Sequence, residues 1–268
     1  YFVVSYSAGG HVYDQVENAI YTGTISSAFG AGYIGMTPDG AYVVFTDSTD
    51  FYSHALDHGA NSVAAAVMFM RGVAASSDHA VYVSASDGFN YAFSTMANLS
   101  APDGLRYYHY RVDIDRAGMS AAQILTSVMA TGGYTVEVDS TDELEAHFTH
   151  GPNGNGQNWV FIDTEDQSGG DNFNDGTYAG WRPYQQEIVA INIMTGATRR
   201  LAHHRSRSIQ LSYYYQPRIS CAWDASLVIW TSNLNDNAPA DYNDTLGIEN
   251  PLGAVASVSL GSSLGGLG

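Results

Sequence analysis

What most limits the fold of this chain is a turn that keeps returning beside a dense apolar run. Thr37-Pro38-Asp39-Gly40 leads into residues 41–46 (AYVVFT). Ser76-Ser77-Asp78-His79 leads into 80–85 (AVYVSA), and Ala222-Trp223-Asp224-Ala225-Ser226 into 227–232 (LVIWTS). Between the last two, Pro152-Asn153-Gly154-Asn155-Gly156 precedes Trp159-Val160-Phe161-Ile162. Asp and Asn bond the backbone two residues on, and Gly takes positive φ without steric cost, so both suit a tight turn at a fixed place. Runs such as YVVF and LVIW have no polar alternation, which implies strands covered on both faces. In an antiparallel protein, the inner strands of propeller blades have that environment, because each blade packs on its neighbours.

The strand centres Val44, Tyr82, Phe161 and Ile229 lie 38, 79 and 68 residues apart, which implies a unit of about 40 residues. A unit without the turn signature falls between the second and third copies and would use 107–114 and 134–138. Residues 187–193 (EIVAINI) alternate, turn at Met194-Thr195-Gly196 and return through 197–201, the pattern of an outer hairpin. Helical periodicity is confined to 119–129 and a short stretch over 141–147. The expected fold is all-β: a β-propeller of four-stranded antiparallel blades, five to seven of them. One domain over 1–260 would be followed by a Gly/Ser-rich tail or linker over 261–268, with the whole read as a piece of a longer chain.

The stretches TPDGAYVVFTDS, EIVAINIMTGATRRLAHHRS and YYYQPRISCAWDASLVIWTSN resemble the TolB-like group of β-propeller repeats. The resemblance covers roughly two-thirds of the chain and is strongest over 159–233. It implies a propeller, and with it a choice among periplasmic assembly proteins, peptidase propellers and polysaccharide lyases. The His-, Arg- and Tyr-bearing final blades look most like those of oligogalacturonate and ulvan lyases.

Charge narrows the partners. The chain carries a formal −17 and no lysine, which argues against a general nucleic-acid binder. No run of about 18 apolar residues marks a membrane helix. Acidity of this kind suits an extracellular or saline setting, and the expected location is extracellular or periplasmic. The single cysteine, Cys221, has no partner for an internal disulfide and reads as a small buried hydrophobe. Gly261-Ser262-Ser263-Leu264-Gly265 matches the hydrolase elbow only formally, lacking the flanking strand and helix.

Six of the ten arginines lie over 182–218: Arg182, Arg199, Arg200, Arg205, Arg207 and Arg218. With Tyr213, Gln216 and His150 they are candidate ligands for an anionic polysaccharide, arginine forking onto carboxylate or sulfate. If the site is catalytic, His203, His204, Tyr215 and Arg218 would supply base, proton carrier and enolate-stabilising cation for β-elimination. His150 would then meet His203, His204 and Gln216 in the central channel and could hold a divalent ion. Asp163, Glu165, Asp166, Asp171 and Asp175 form an oxygen-rich loop suited to calcium, outside the EF-hand template. The functional expectation is a secreted propeller that binds anionic glycan or serves an extracellular assembly. The alternatives are a lyase on uronate sugars and a periplasmic protein-interaction platform.

Overall fold

The structure is a computed structural model. It describes residues 2–6, 9–25, 34–46, 50–71, 80–98, 106–114, 146–152, 154–164, 187–204, 217–232, 244–249 and 251–252. Among these, every regular element is a β-strand except one short 3₁₀ turn, Gly154–Gly156.

Five antiparallel sheets follow one another along the chain. The first comprises β1 (Phe2–Tyr6), β2 (Gly9–Asp14) and β3 (Ala19–Ile20). The second runs β4 (Ile34–Met36), β5 (Tyr42–Thr46), β6 (Asp50–Asp57), with β7 (Ser62–Val63) and β8 (Val67–Arg71) both paired to the long β6. The third is β9 (Ala80–Ser84), β10 (Asn90–Asn98) and β11 (Arg106–Asp113). The fourth has β12 (Ala146–His150), β13 (Trp159–Thr164), β14 (Glu187–Asn192) and β15 (Thr198–His203) in that order. The fifth is β16 (Ser220–Cys221), β17 (Leu227–Ser232) and β18 (Asp244–Glu249).

The apolar clusters show how the sheets stack. Val43 and Phe45 of β5 pack on Val12, Tyr21 and Ile25 of the first sheet, while Val44, between them in sequence, faces Tyr82, Ala92 and Val112 of the third. On β10, Ala92 joins that same cluster and Phe93 turns to Val160, Ile162, Val189 and Ile191 of the fourth sheet. Phe161, Ile188 and Ala190 of the fourth sheet then face Val228 and Trp230 of the fifth. Successive side chains of a strand point to opposite faces, so each middle sheet is clamped between two neighbours. Burying each such Val, Ile or Phe contributes about 1.5–3 kcal/mol. The edge strands β4, β9, β12 and β16 form the inner row. β9 and β16 both contact β12, and Gly35 on β4 lies so close to the Tyr82 ring of β9 that a Cβ there would sit 2.5 Å from it. The fold is a β-propeller.

Three expectations need correction. The copy of the turn in the third blade is not Ser76-Ser77-Asp78-His79, which lies outside the described residues. It is Ala85-Ser86-Asp87-Gly88, which follows the run AVYVS because that run is the inner strand β9. Residues 146 and 147, expected to end a short helix, begin β12. And β14 does not alternate between core and solvent: Glu187 through Ile191 are all buried, because the neighbouring blades cover both faces. The hairpin β14–β15 and a strand over 107–113 stand where the sequence puts them. The helix over 119–129, the strand over 134–138 and the tail over 261–268 fall outside the described residues.

Candidate functional site: a cavity at the inner turns

The turns leaving the inner strands share one construction. Gly40 donates its N–H to Thr37 O, Gly88 to Ala85 O, and Ala225 to Ala222 O, with the donor residue at positive φ each time (75°, 87° and 57°). The preceding aspartate accepts the next amide but one: Asp39 from Ala41, Asp87 from Phe89, Asp224 from Ser226. Alanine at 57° is strained where glycine would not be. The Ala225 turn is held tightly, since Cβ atoms built on Gly151 and Gly156 would come within 2.5–2.9 Å of Ala222 and Ala225.

The Thr37–Gly40 turn and Trp223 of the Ala222–Ala225 turn border a cavity of about 420 Å³ lined also by Tyr82, His150 and Pro152, among others. The Asp39 carboxylate is held by its neighbours on the turn and on β10. Oδ1 accepts from Thr37 Oγ1 (2.7 Å) and Ala41 N (2.9 Å), and Oδ2 accepts from Asn90 Nδ2 (2.8 Å). Partial burial works to raise its pKa, but these hydrogen bonds prevail and hold the carboxyl below the usual range. Asp39 is ionised at neutral pH. Asn90 is in turn oriented by Ser84 Oγ, which donates to its Oδ1 (2.7 Å).

His150 closes β12 at the cavity wall. Its Nδ1–H donates to the Trp159 carbonyl (2.9 Å), which leaves Nε2 as a bare lone pair. That nitrogen is buried out of reach of solvent and has no hydrogen-bond partner among the described residues. Burial lowers the His150 pKa, against the opposing pull of the Trp159 bond, so the ring is neutral at pH 7. Trp223 stands on the rim and is 61% exposed. Among the described lining residues there is no arginine.

The arginine-rich segment is used differently. Arg200 forks onto the buried carboxylate of Glu187, its neighbour across β14–β15. Arg199 points to the other face, lying over the Trp159 ring (5.1 Å) and donating to Leu252 O (3.1 Å). His203 Nε2 is 3.7 Å from Glu187 Oε1. His204 is buried, and its Nε2–H donates to Thr164 O (2.8 Å). Burial pushes the His204 pKa down to about 4, although the Thr164 bond and nearby Asp163 pull it up. Arg218 is exposed, and its backbone N–H reaches Thr231 Oγ1 (3.3 Å). Asp163, expected as a calcium ligand, is buried and accepts from Ile219 N through Oδ2 (3.1 Å), joining the fourth blade to the fifth. Arg182, Arg205, Arg207, Tyr213, Tyr215, Gln216, Glu165, Asp166, Asp171 and Asp175 lie outside the described residues.

The expected meeting of His150 with His203 and His204 does not occur. His150 pairs through Val160 and Ile191 to Thr198, whereas His203 pairs with Glu187 at the far end of the same sheet. Three strand spacings across and roughly five residues along separate them by about 20 Å. The sequence reading singled out His150 but missed Asp39 and Trp223. The signal for both was present: they occupy the turn that defines the repeat.

No family model and no curated protein matches the chain. Solved structures do. A TolB-like protein from Agrobacterium tumefaciens is similar at 12% identity over 81% of this chain and 57% of its own, with a TM-score of 0.40. The calcium structure of a Trichoderma reesei carbohydrate-active enzyme of family AA12 is similar at 11% identity, over 86% of this chain and 68% of its own, TM-score 0.40. An oligogalacturonate lyase from Vibrio parahaemolyticus is similar at 8% identity, over 85% of this chain and 80% of its own, TM-score 0.29. The chain spans just over half the length of the TolB-like structure. The architecture itself stands on the sheet order and the blade-to-blade cores.

Proposed function

We propose that this protein is a glycan-binding propeller whose ligand enters the cavity at the inner turns. The observation that carries the reading is Trp223, exposed at the rim of a cavity that is also lined by the ionised Asp39. Sugars present apolar C–H faces to aromatic rings and hydroxyl donors to acceptors, and both halves of that recognition are here. A cavity of about 420 Å³ accommodates a sugar residue or two rather than a long polymer.

The reading is of binding; His150 and His203, expected to meet in one channel, sit at opposite corners of their sheet. It also moves the ligand away from the arginines, of which Arg199 and Arg200 are occupied by Trp159, Leu252 and Glu187. An extracellular or periplasmic location fits a glycan ligand and the acidic surface. Trp223→Ala is expected to weaken the tightest glycan ligand at least tenfold, about 1.4 kcal/mol, in a calorimetric titration. Unchanged affinity would reject the cavity as the site.

A further inference from the structure

The inner turns share a hydrogen-bond pattern, but the turn that carries Trp223 departs from the others in one residue. Gly40 and Gly88 hold the left-handed position as glycines, whereas here it is Ala225, at φ 57°. Among the described residues, Ala225 is the only one at positive φ that is neither glycine nor asparagine. A Cβ is strained in that conformation, and glycine would relieve the strain.

The surroundings show what holds the alanine there. Ala225 is buried in the cluster of Phe161, Ile219, Val228 and Trp230 that joins the fourth and fifth blades. Beside its methyl lie Gly151 and Gly156 of the fourth blade, where a Cβ would stand 2.9 and 2.5 Å from it. Only bare backbone leaves room for the methyl to seat. The strand entering the turn is pinned to the same blade, since Cys221 N–H donates to Thr149 Oγ1 (3.2 Å). Ala222 N–H then closes on Leu227 O (2.8 Å), and Ala225 N–H on Ala222 O (2.9 Å). Trp223 lies inside that closed turn, two residues before the seated methyl, and is itself exposed.

An aromatic on a loose turn loses conformational freedom when it closes on a ligand, and the loss is subtracted from affinity. A turn fixed beforehand avoids it. We propose that Ala225 is a positioning residue for Trp223: its methyl, seated against Gly151 and Gly156, fixes the backbone from which the rim indole projects. Ala225 does not line the cavity, so it acts through Trp223 and not on the ligand. This rests on the glycan reading above and adds the residue that presets its main contact.

The test compares the unaltered full chain with Ala225→Gly and Trp223→Ala. Glycine occupies this place in two sister turns, so Ala225→Gly is expected to fold with a denaturation midpoint close to the original. The first readout needs no ligand: the heteronuclear NOE of the Trp223 amide reports fast backbone motion. A rigid amide in the unaltered chain that loosens in Ala225→Gly is expected. An amide equally rigid in both, or already mobile in the unaltered chain, overturns the proposal. The second readout is a calorimetric titration with cellotetraose and with a galacturonate tetramer. Against whichever tetramer Trp223→Ala weakens, Ala225→Gly is expected to bind about three- to tenfold more weakly. Undiminished affinity there overturns the positioning role and leaves the glycan reading standing. Should neither tetramer bind, or Trp223→Ala bind as tightly as the unaltered chain, the glycan reading falls. The amide measurement then decides by itself whether Ala225 fixes the turn.

Discussion

At the residue scale, His204 has the clearest energetic consequence. Its folded pKa of about 4 lies below the ordinary histidine value of 6.5. Below pH 6.5 the unfolded chain takes up a proton that the folded chain refuses, so stability falls with falling pH. The contribution is complete above pH 6.5 and is lost progressively down to about pH 4, a loss on the order of 3 kcal/mol. Urea denaturation between pH 7 and pH 4 should show this slope, and His204→Gln, which keeps a donor for Thr164 O, should flatten it. A slope unchanged in the variant would assign the effect to other groups. Cys221 behaves as its apolar setting demands: burial raises its thiol pKa, partly offset by the bond from Thr149 Oγ1.

The same scale shows what the linear sequence could and could not reveal about the site. Arg199 and Arg200 look like one cationic patch in a string of letters. As neighbours on β15 they point to opposite faces, one to Trp159 and the other to Glu187. His150 was visible as a residue near the channel, but its distance from His203 is set by strand pairing across a sheet, which spacing does not encode. The cavity's aspartate hid for a different reason. Asp39 was already accounted for as turn chemistry, and only the coordinates show that a turn-forming carboxylate also faces an open space.

At the scale of elements, the run YVVF announced a buried strand and lies on β5, whereas LVIW, expected to be covered on both faces, lies on β17 with Val228 and Trp230 buried and Leu227 and Ile229 exposed. What the runs left open was rank within the blade. Inner and second strands are both apolar, so the reading of all four dense runs as inner strands holds only for AVYVS on β9, while YVVF, WVFI and LVIW lie on the second strands β5, β13 and β17. A second repeated turn settles rank and was overlooked. Asp14 Oδ1 accepts from Val16 and Glu17 amides, Asp57 Oδ1 from Gly59 and Ala60, and Asn192 Oδ1 from Met194 and Thr195. Four residues on, Asn18, Asn61 and Gly196 each take positive φ. The pattern Asp/Asn-x-x-x-Asn/Gly therefore marks the outer hairpins, as the Asp-Gly pattern marks the inner turns. Element packing also yields a prediction. Gly156→Ala would place a methyl 2.5 Å from Ala225 Cβ and 2.6 Å from Gly151 O. Overpacking of this kind costs about 1–3 kcal/mol, read as a lowered denaturation midpoint. A neutral effect would mean that the two turns can separate freely.

For the whole molecule, the blades are fastened by side chains as well as by cores. Asn158 accepts from the Ser86 amide (2.9 Å) and donates to Ser86 Oγ (2.7 Å), tying the fourth blade to the third. Asn90 ties the third to the second through Asp39, and Asp163 ties the fourth to the fifth. With every middle blade clamped on both faces, unfolding is expected to be one cooperative transition, coincident by far-UV and near-UV circular dichroism. Asn158→Ala should lower stability by about 1–3 kcal/mol while keeping that coincidence. Two separate transitions would show that the blades melt in blocks.

One further contact carries information from the periphery to the mouth. Tyr21 donates its hydroxyl to His58 Nδ1 (2.6 Å), and His58 Nε2–H is held by the carbonyl of Gly40, one residue past Asp39 (3.0 Å). A side chain at the end of β3, in the outer row of the first blade, thereby props the loop that bears the cavity's carboxylate. The placement of that carboxylate is thus set in part from two residues that lie outside the cavity's lining, and a survey of variants confined to the rim of the opening would overlook them.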